Sequence, residues 1–387
     1  MRQQSSLFDN YRMQLDDAVQ LSVVSLNEYG ARYKHWALAY SGGKDSTAAL
    51  TFVVWAINSG LVVKPETLTV LYADTRMELP PLQDNAIQIL RELDKIDFIQ
   101  SRVVLPEIDQ RFYVYMFGRG VPPPKNRFRW CTPQIKVEPM LNALESLRTS
   151  NDEKLLMLTG VRLGESAARD QRIAVSCSKD AGECGQGWFQ NASSEAVADT
   201  LAPLLHWRLC HVYDWLYFDS RHGFDTSGIA AIYGEEDVRT GCVGCNLVDH
   251  DTALERLVKM QRWEHLQPLL DLKPLYRELT QAKYRKRKAE PEMRKDGQWG
   301  KNAQRLGPLT MAAREYGLNT VLDIQKRAGV NLICKEEENR IRELWSLNTW
   351  PNKWSDQDIN GDVFIEPVYT DGHSLAVQKA LISNGAQ

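Results

Sequence analysis

Short apolar segments alternate with amphipathic segments through the first part of the chain. Continuous apolar runs of roughly four to eight residues are typical of buried strands, and apolar residues at i, i+3 and i+4 are typical of helices. The predicted strands are residues 36–40, 67–72, 98–105 and 154–159, and the predicted helices are residues 45–58, 82–93 and 135–147. Such alternation predicts an α/β fold with a doubly wound, mainly parallel sheet, whose ligand crevice lies at the carboxyl ends of the strands.

The pattern differs outside this region. Leu15, Val19, Val23 and Leu26 recur at helical spacing, which predicts a helical lead-in. Residues 176–202 are small and polar with little periodicity, which indicates a long functional loop or insertion. Helical spacing returns at residues 252–279, 309–316, 320–327 and 335–347. The predicted regions are the lead-in (1–33), a nucleotide-binding domain with a cysteine-bearing insertion (34–250) and a helical C-terminal region with a basic patch (251–387).

The first predicted strand is followed at once by the sequence Ser-Gly-Gly-Lys-Asp-Ser-Thr. Two adjacent glycines let the backbone turn sharply, so that backbone N–H groups and the first turn of the next helix point at an anion. A Walker-type loop is excluded, because it needs four residues between its first glycine and the Gly-Lys pair. The candidate phosphate-binding residues are Ser41, Gly42, Gly43, Lys44, Asp45, Ser46 and Thr47.

Two further polar groups follow strand ends. Asp74 is a candidate Mg²⁺ ligand, since Mg²⁺ prefers one or two carboxylates together with phosphates and water. The alternative for Asp74, and equally for Asp45, is that the carboxylate only caps the start of a helix. After the strand at 154–159, Gly160 begins a segment in which Arg162 and Arg169 are candidates to clamp phosphate groups. The alternative is an exposed salt-bridge set at a helix start.

The cysteines indicate a sulfur site. Cys242 and Cys245 form a CxxC pair, and Cys131 and Cys184 are candidates to complete a four-sulfur site, with Cys177 as a possible substitute. An iron–sulfur cluster is the first prediction, structural zinc the second, and the absence of any metal a third. Arg129 and Lys136 are expected to lower the pKa of Cys131, unless it is a small buried hydrophobic residue. Cys210 is expected to lie in the core and Cys334 to be structural.

Charge and composition narrow the class of protein. The 387 residues have a formal net charge of −3 and a pI of about 6.2, so contacts with nucleic acid require a local basic patch. Residues 283–288 contain five cations and are either such a patch or a solvated helix face or loop. The absence of a long apolar run and of a signal-peptide pattern at the N-terminus predicts a cytoplasmic protein with no membrane contact.

These segments resemble known families. The sequence from Ser41 to Ser46 resembles the SGGxDS signature of the PP-loop ATP pyrophosphatases, and Ala73-Asp74-Thr75 and residues 131–139 resemble the phosphoadenosine-phosphosulfate-reductase-like branch. Within that branch the chain is most similar to the DndC/SspD proteins of bacterial DNA phosphorothioation. The similar segments are residues 129–132, 159–169, 182–187, 241–245 and 332–342.

The resemblance implies an adenine nucleotide alpha hydrolase-like fold and an enzyme that cleaves ATP to AMP and pyrophosphate. It implies adenylation of a DNA backbone phosphate, followed by replacement of a non-bridging oxygen by sulfur. The implied cofactors are ATP, Mg²⁺ and a four-iron cluster. The implied partners are DNA, a cysteine desulfurase and other phosphorothioation proteins.

Three other functions remain open at this point. A sulfonucleotide reductase shares the fold, but it needs a mobile C-terminal cysteine, whereas the last cysteine here is Cys334 in a helical context. A tRNA-thiolating PP-loop enzyme shares the activation chemistry. A nucleotide-binding scaffold of a DNA-modification complex would not turn over ATP.

Overall fold

The computed structural model of this chain describes residues 13–126, 128–151, 153–165, 167–178, 188–190, 196–234, 240–288 and 305–363. The chain groups into two compact units. The first comprises Met1–Pro106 and Ile135–Gly241, and the second comprises Glu107–Gln134 and Cys242–Gln387. The predicted ranges 1–33, 34–250 and 251–387 divide the chain differently, because residues 107–134 group with the C-terminal residues.

The first unit is built on a six-stranded sheet with the order β3-β2-β1-β4-β6-β5. Neighbouring strands are parallel, except that β5 runs antiparallel to β6. The strands are β1 (His35–Tyr40), β2 (Thr67–Ala73), β3 (Ile99–Val104), β4 (Leu155–Leu158), β5 (Trp188–Gln190) and β6 (Ala198–Ala202). The fold is therefore α/β with a doubly wound, mainly parallel sheet, and the fold class predicted from the sequence is confirmed.

The strand order reverses beside β1. Strands β2 and β3 follow β1 on one side, whereas β4 and β6 lie on the other. Leu38 of β1 is paired with Val70 of β2 and with Leu158 of β4. In doubly wound sheets the ligand crevice lies at the carboxyl ends of the strands at such a reversal, which here means the residues that follow β1 and β4.

Helices cover the sheet of the first unit. They are α1 (Leu15–Ser25), α2 (Lys44–Asn58), α3 (Pro80–Leu93), α4 (Glu138–Asn151), α5 (Ala167–Ser178), α6 (Leu209–Tyr213) and α7 (Ser227–Tyr233). Helix α1 lies within the predicted lead-in, and α2 to α4 match the predicted helices. Helix α2 is almost entirely buried. Its Phe52 contacts Trp207, with ring centroids 5.6 Å apart. Its Trp55 contacts Trp215, with ring centroids 5.3 Å apart. Elsewhere α4 packs on the strands through the buried residues Ala37, Leu71, Val104, Ala143, Leu144, Leu155 and Met157.

Within the segment 176–202, which was predicted to be a long loop or insertion, residues 188–190 and 198–202 are the strands β5 and β6 of the sheet, and residues 179–187 and 191–195 lie outside the described residues. Polar residues interrupt the apolar run of β6 and hide it from a pattern search. One of them, Asp199, is only 3 % exposed. Its carboxylate lies 2.7 Å from Lys154 Nζ and accepts a hydrogen bond from the Tyr33 hydroxyl. A polar residue paired in this way is compatible with a buried strand.

The second unit is mainly helical. Its elements include α8 (Thr252–Leu257), a 3₁₀ segment (Gln261–Asp271), α9 (Leu272–Glu278), α10 (Met311–Ala328) and α11 (Lys335–Ser346). The two helices predicted at 309–316 and 320–327 are the single helix α10. Gly317 does not interrupt α10, because it is packed so closely on Phe117 that an added Cβ would lie 2.4 Å from the ring.

A small antiparallel sheet in the same unit has the order β8-β7-β9. Its strands are β7 (Arg285–Arg287), β8 (Leu306–Leu309) and β9 (Ile359–Asn360). The basic run 283–288 therefore contains the central strand, and its interpretation as a solvated helix face or loop is wrong. Lys286 Nζ donates to the carbonyl oxygens of Asp356 (2.9 Å) and Asp358 (2.8 Å). Lys288 Nζ donates to the Asp358 carboxylate at 2.8 Å.

Arg314 on α10 is the most deeply buried cation of the second unit, with 0 % exposure. Its Nη1 atom donates to the carbonyl oxygens of Gly118 at 3.0 Å and Thr349 at 2.9 Å, and its Nε donates to that of Leu309 at 3.3 Å. The guanidinium also lies 4.0 Å from the centroid of the Trp350 ring. One side chain thus joins three separate segments of the chain.

Among the described residues, every helix is too short or too polar to cross a bilayer.

We predict that Arg314→Lys lowers the free energy of unfolding by about 3 kcal/mol or more, because an ammonium cannot reach all three carbonyl groups and stays buried as a charge. Urea unfolding measures the change. Arg327→Lys is the matched control on the same helix, since Arg327 is 46 % exposed and its ion pairs lie at the surface. Equal loss in both variants would contradict the role given to Arg314.

We also predict an acid-sensitive contact in the second unit. Hydrogen bonds from Arg340, and then from Arg119, hold the pKa of Asp109 down at about 2. Because this folded-state pKa lies below the ordinary value of about 3.9, the contact stabilises the fold above about pH 4 and is lost as the pH falls toward 2. Asp109→Asn should lower the free energy of unfolding by about 1–2 kcal/mol at pH 6, and this difference from the wild type should shrink as the pH is lowered to about 3. A difference that does not change with pH would count against the ion pairs.

Candidate nucleotide-binding site

The glycine loop follows β1 and leads directly into α2. Gly42 has a φ of +73°, a conformation that favours glycine, and a Cβ there would lie 3.0 Å from the Cβ of Ala86. Gly43 is extended and serves as the N-cap of α2 without a side-chain cap. The positive end of the α2 dipole therefore faces the crevice at the carboxyl end of β1.

The hydroxyl groups of the loop bond mainly within the loop. Ser46 Oγ and Thr47 Oγ1 each donate to the carbonyl oxygen of Gly43 at 3.0 Å, and the Ser41 and Ser46 hydroxyls are 3.0 Å apart. Thr47 is fully buried. These hydrogen bonds stabilise the conformation of the loop. In this structure the hydroxyl groups therefore support the loop backbone, whereas the sequence predicts them as phosphate-binding groups.

Three charged residues meet at the start of α2. Arg162 Nε lies 2.6 Å from Asp45 Oδ1, and Lys44 Nζ lies 3.8 Å from Asp45 Oδ2. The Lys44 and Arg162 side chains are only 7 % and 6 % exposed, whereas that of Asp45 is 22 % exposed. Two cations flank this carboxylate beside a helix N-terminus, whose dipole favours an anion, and Glu165 adds a second carboxylate to the same cavity wall.

Tyr233, at the end of α7, completes the surroundings of Lys44. Lys44 Nζ lies 4.7 Å from the centroid of the Tyr233 ring, and the phenol oxygen accepts from the Lys44 backbone N–H at 3.4 Å. The same hydroxyl is 2.6 Å from Thr240 Oγ1. Burial raises the pKa of Tyr233, which keeps the phenol neutral at neutral pH. The sequence holds no motif at Tyr233 that marks this role, because α7 and the loop meet only in the folded chain.

These groups line a cavity of about 460 Å³, within the range of small-molecule sites. Gly160 and Arg162 form its wall on the β4 side. A Cβ at Gly160 would lie 2.7 Å from the Asp45 carbonyl oxygen and 2.9 Å from Ser46 Cα. The absence of a side chain at Gly160 therefore lets the end of β4 lie against the first turn of α2. The lining residues are Ala39, Tyr40, Ser41, Gly43, Lys44, Asp45, Ser46, Ala73, Met140, Thr159, Gly160, Val161, Arg162, Gly164, Glu165, Tyr233 and Thr240.

One side of the cavity is apolar. Ala39 and Ala73 lie at the ends of β1 and β2, and Met140 of α4 lies on the same wall. Thr159 follows β4, and its Oγ1 atom is buried without a hydrogen-bond partner among the described residues. The small side chains of this wall suit a flat heterocycle.

Asp74, the predicted Mg²⁺ ligand, is 6 % exposed and bonds within its own turn. Its Oδ1 accepts from the Arg76 backbone N–H at 2.9 Å and from Gln83 Nε2 at 3.4 Å, and Oδ2 lies 3.5 Å from Arg76 Nε. Among the described residues the cavity wall includes Ala73 but not Asp74. Arg169 lies in α5, and its side chain is outside the described part of the chain.

Three predicted sulfur ligands belong to the second unit, namely Cys131, Cys242 and Cys245. The CxxC turn closes through a bond from the Cys245 N–H to the Cys242 carbonyl at 3.1 Å, with Gly244 at φ +67°. The turn packs on α9, since a Cβ at Gly244 would lie 3.1 Å from the Tyr276 ring. Cys184 and the side chain of Cys177 lie outside the described residues. No three described His, Cys, Asp or Glu residues are close enough together to hold a metal ion.

Two expectations about individual cysteines are wrong. The pKa of Cys131 is raised, chiefly by burial and further by the neighbouring Cys245, although the Thr132 hydroxyl opposes the rise. Arg129 does not reverse it, because its guanidinium donates to Asn126 Oδ1 at 2.9 Å. Cys210 was expected in the core, but it is exposed on α6.

Comparisons with known proteins are consistent with this architecture. The family model described as phosphoadenosine phosphosulfate reductase domain matches residues 35–246, more than half of the chain. No curated protein is significantly similar in sequence.

Several solved structures are similar to part of this chain at low sequence identity. FMN adenylyltransferase of Candida glabrata, in complex with FMN and an ATP analogue, is 16 % identical over 55 % of this chain and 60 % of its own, with a TM-score of 0.32. Phosphoadenylyl-sulfate reductase of Candida auris is 13 % identical over 55 % of this chain and 87 % of its own, with a TM-score of 0.32. The U34-tRNA thiolase NcsA of Methanococcus maripaludis, with its [4Fe-4S] cluster, is 11 % identical over 68 % of this chain and 79 % of its own, with a TM-score of 0.33.

We predict that Gly160→Ala weakens ATP binding by at least about tenfold without unfolding the chain, because the new methyl group pushes the first turn of α2 away from Arg162. Isothermal titration with ATP measures the effect. Gly241→Ala is the matched control, since a Cβ there meets no atom within 4 Å. Wild-type affinity in the Gly160 variant would contradict the close approach.

Proposed function

Because this chain belongs to the phosphoadenosine phosphosulfate reductase domain family, we propose that it is an ATP pyrophosphatase that activates a DNA backbone phosphate for sulfur transfer. The observation on which the proposal rests is the ion group of Lys44, Asp45 and Arg162 at the start of α2. This ion group supports an enzyme that binds a nucleoside triphosphate. The DNA substrate is inferred from the resemblance of the cysteine and arginine segments to the DndC/SspD proteins.

In the proposed first step, a non-bridging oxygen of a DNA phosphodiester attacks the α-phosphorus of ATP. The bond between the α-phosphorus and the bridging oxygen breaks, and pyrophosphate leaves with the electron pair. Lys44 and Arg162 are buried cations that neutralise the charge developing on the pyrophosphate, and they need little reorganisation because Asp45 already orients both. The product is a mixed anhydride of AMP and the DNA phosphate.

The apolar side of the cavity fits the adenine ring in this scheme. Ala39 and Ala73 leave room for a flat base, and Met140 offers a polarizable contact. Thr159 is a further residue of this cavity wall. Since the α2 terminus holds the phosphates, the nucleotide would be fixed at both ends, which aligns the α-phosphorus for attack.

In the proposed second step, a sulfur nucleophile at the oxidation level of hydrosulfide attacks the DNA phosphorus. AMP leaves with the oxygen that attacked in the first step, and a phosphorothioate diester remains, with no net oxidation or reduction. A cysteine desulfurase is the proposed partner that supplies the sulfur as a persulfide, and a thiol that becomes a disulfide is the proposed reductant that releases it as hydrosulfide. Other phosphorothioation proteins are the further proposed partners.

The proposed metals fit the residues to different extents. For the Mg²⁺ that accompanies ATP, Asp45 and Glu165 are acidic residues of the cavity wall, and we propose Asp45 as ligand in preference to Asp74. A bound Mg²⁺ would neutralise phosphate charge. For a four-iron cluster, or for zinc as the alternative, the described residues do not by themselves form a metal site. Cys131, Cys184, Cys242 and Cys245 stay the proposed ligands, and no step above depends on them.

One observation argues against the sulfonucleotide reductase alternative. That reaction needs a mobile catalytic cysteine, and Cys334, the cysteine of the C-terminal region, is the N-cap of α11. Its backbone N–H donates to Glu337 at 2.9 Å, and Glu337 is 2 % exposed. A cysteine that caps an ordered helix differs from the mobile cysteine that the reductase reaction uses. The tRNA-thiolating enzyme and the scaffold remain the alternatives that the following experiment separates.

We predict that Lys44→Ala and Asp45→Ala each abolish pyrophosphate release, because the first removes charge stabilisation and the second releases both cations from their orientation. Pyrophosphate is measured with ATP and plain or phosphorothioated duplex DNA, using anaerobically purified protein whose visible spectrum is recorded. Lys95→Ala is the control, since Lys95 is an exposed lysine of the same unit.

Normal turnover in both variants would remove the loop from the mechanism. Phosphate instead of pyrophosphate, or no turnover by the wild type, would favour the scaffold. Pyrophosphate release that requires tRNA instead of DNA would favour the thiolating enzyme.

A further inference from the structure

A short basic turn projects from the second unit just before Cys131. We use the name basic turn for its described residues, namely Lys125, Asn126, Phe128 and Arg129. Lys125 and Phe128 form an antiparallel bridge, in which the Phe128 N–H donates to the Lys125 carbonyl at 2.7 Å and the Lys125 N–H donates back at 3.3 Å. Two backbone bonds across so few residues define a tight hairpin-like turn.

The turn is anchored at its base. The Trp130 indole N–H donates to the Pro122 carbonyl at 3.0 Å, and its ring stacks on Phe112 with centroids 5.2 Å apart. On the other side, Asn246 Nδ2 donates to the Pro124 carbonyl at 3.2 Å. The basic turn is therefore attached to the rest of the second unit by a buried aromatic contact and by two hydrogen bonds.

Its side chains face solvent. Phe128 is 43 % exposed, and Lys125 and Arg129 are exposed beside it. Arg129 donates to the neutral side chain of Asn126, and among the described residues neither Lys125 nor Arg129 is paired with a carboxylate. An exposed phenylalanine beside two cations that have no carboxylate partner among the described residues is a combination that binds a base and its neighbouring phosphates.

The basic run 283–288 differs in this respect. Lys286 and Lys288 donate to the chain segment around Asp358 and lie over Trp350 and Trp354, at 5.6 Å and 4.6 Å from the ring centroids. These cations already have partners within the fold, so they contribute less to an external phosphate contact than the freely exposed cations of the basic turn.

We propose that the basic turn binds single-stranded or locally opened DNA, with Phe128 stacked on one base and with Lys125 and Arg129 on the adjacent phosphates. This inference rests on the proposed function for the choice of DNA as the nucleic acid. Trp130 and Asn246, which anchor the turn, are sequence neighbours of Cys131 and Cys245. A strand bound at the turn therefore lies next to the cysteines of the second unit.

The test is fluorescence anisotropy with a labelled single-stranded oligonucleotide, without ATP, over about 50–200 mM salt. Phe128→Ala should weaken binding about five- to a hundredfold, and Phe128→Trp should restore it. Lys125→Ser and Arg129→Ser should each reduce the slope of log affinity against log salt by about 0.7. The matched controls are Phe218→Ala, since Phe218 is 82 % exposed in the first unit, and Lys95→Ser, and both should bind as the wild type does.

Wild-type affinity in Phe128→Ala, or an equal loss in Phe218→Ala, would overturn the proposal. Tighter binding of duplex than of single-stranded DNA would overturn the stacking arrangement, and tighter binding of single-stranded RNA would overturn the choice of DNA. Because the assay contains no ATP, the measured DNA affinity is independent of pyrophosphate release. Failure of the basic turn can thus be distinguished from failure of the proposed function.

Discussion

The close approach of two backbone segments governs the candidate site. Gly160, just after β4, lies so near the first turn of α2 that no side chain fits between them. This approach brings Arg162 within 2.6 Å of Asp45 and puts Thr159 on the same cavity wall as the glycine loop. The parallel pairing of β4 with β1 sets the distance, because both loops leave the sheet at the same edge. Charge and shape at the site are thus consequences of strand order.

The two units use buried charge differently. In the first unit the buried cations Lys44 and Arg162 face a cavity, where an anion can approach them. In the second unit the buried cation Arg314 donates to backbone carbonyl groups and so links separate segments of the chain. A buried cation contributes to recognition only where an anion from outside the fold can reach it. The same rule separates the basic turn from the strand β7.

Much of the fold was predictable because buried parallel strands leave an unmistakable apolar pattern. The predicted strands at 36–40 and 67–72 and the helices at 45–58 and 82–93 agree with β1, β2, α2 and α3 to within a few residues. Strand β6 was missed because Asp199 breaks its pattern, and its pairing with Lys154 becomes visible only in three dimensions. The cations of β7 were misinterpreted for a similar reason, since their partners lie about 70 residues away.

By itself the sequence determined the glycine loop, its position after a strand and the family to which these belong, because such features depend on residues adjacent in the chain. Only the tertiary structure decided which charges meet. Tyr233 beside Lys44 and Arg162 beside Asp45 are contacts between distant segments. The raised pKa of Cys131 has the same origin, since burial and Cys245 outweigh the basic neighbours in its sequence. Local sequence sets backbone conformation, whereas electrostatic environment depends on what the whole fold brings near each group.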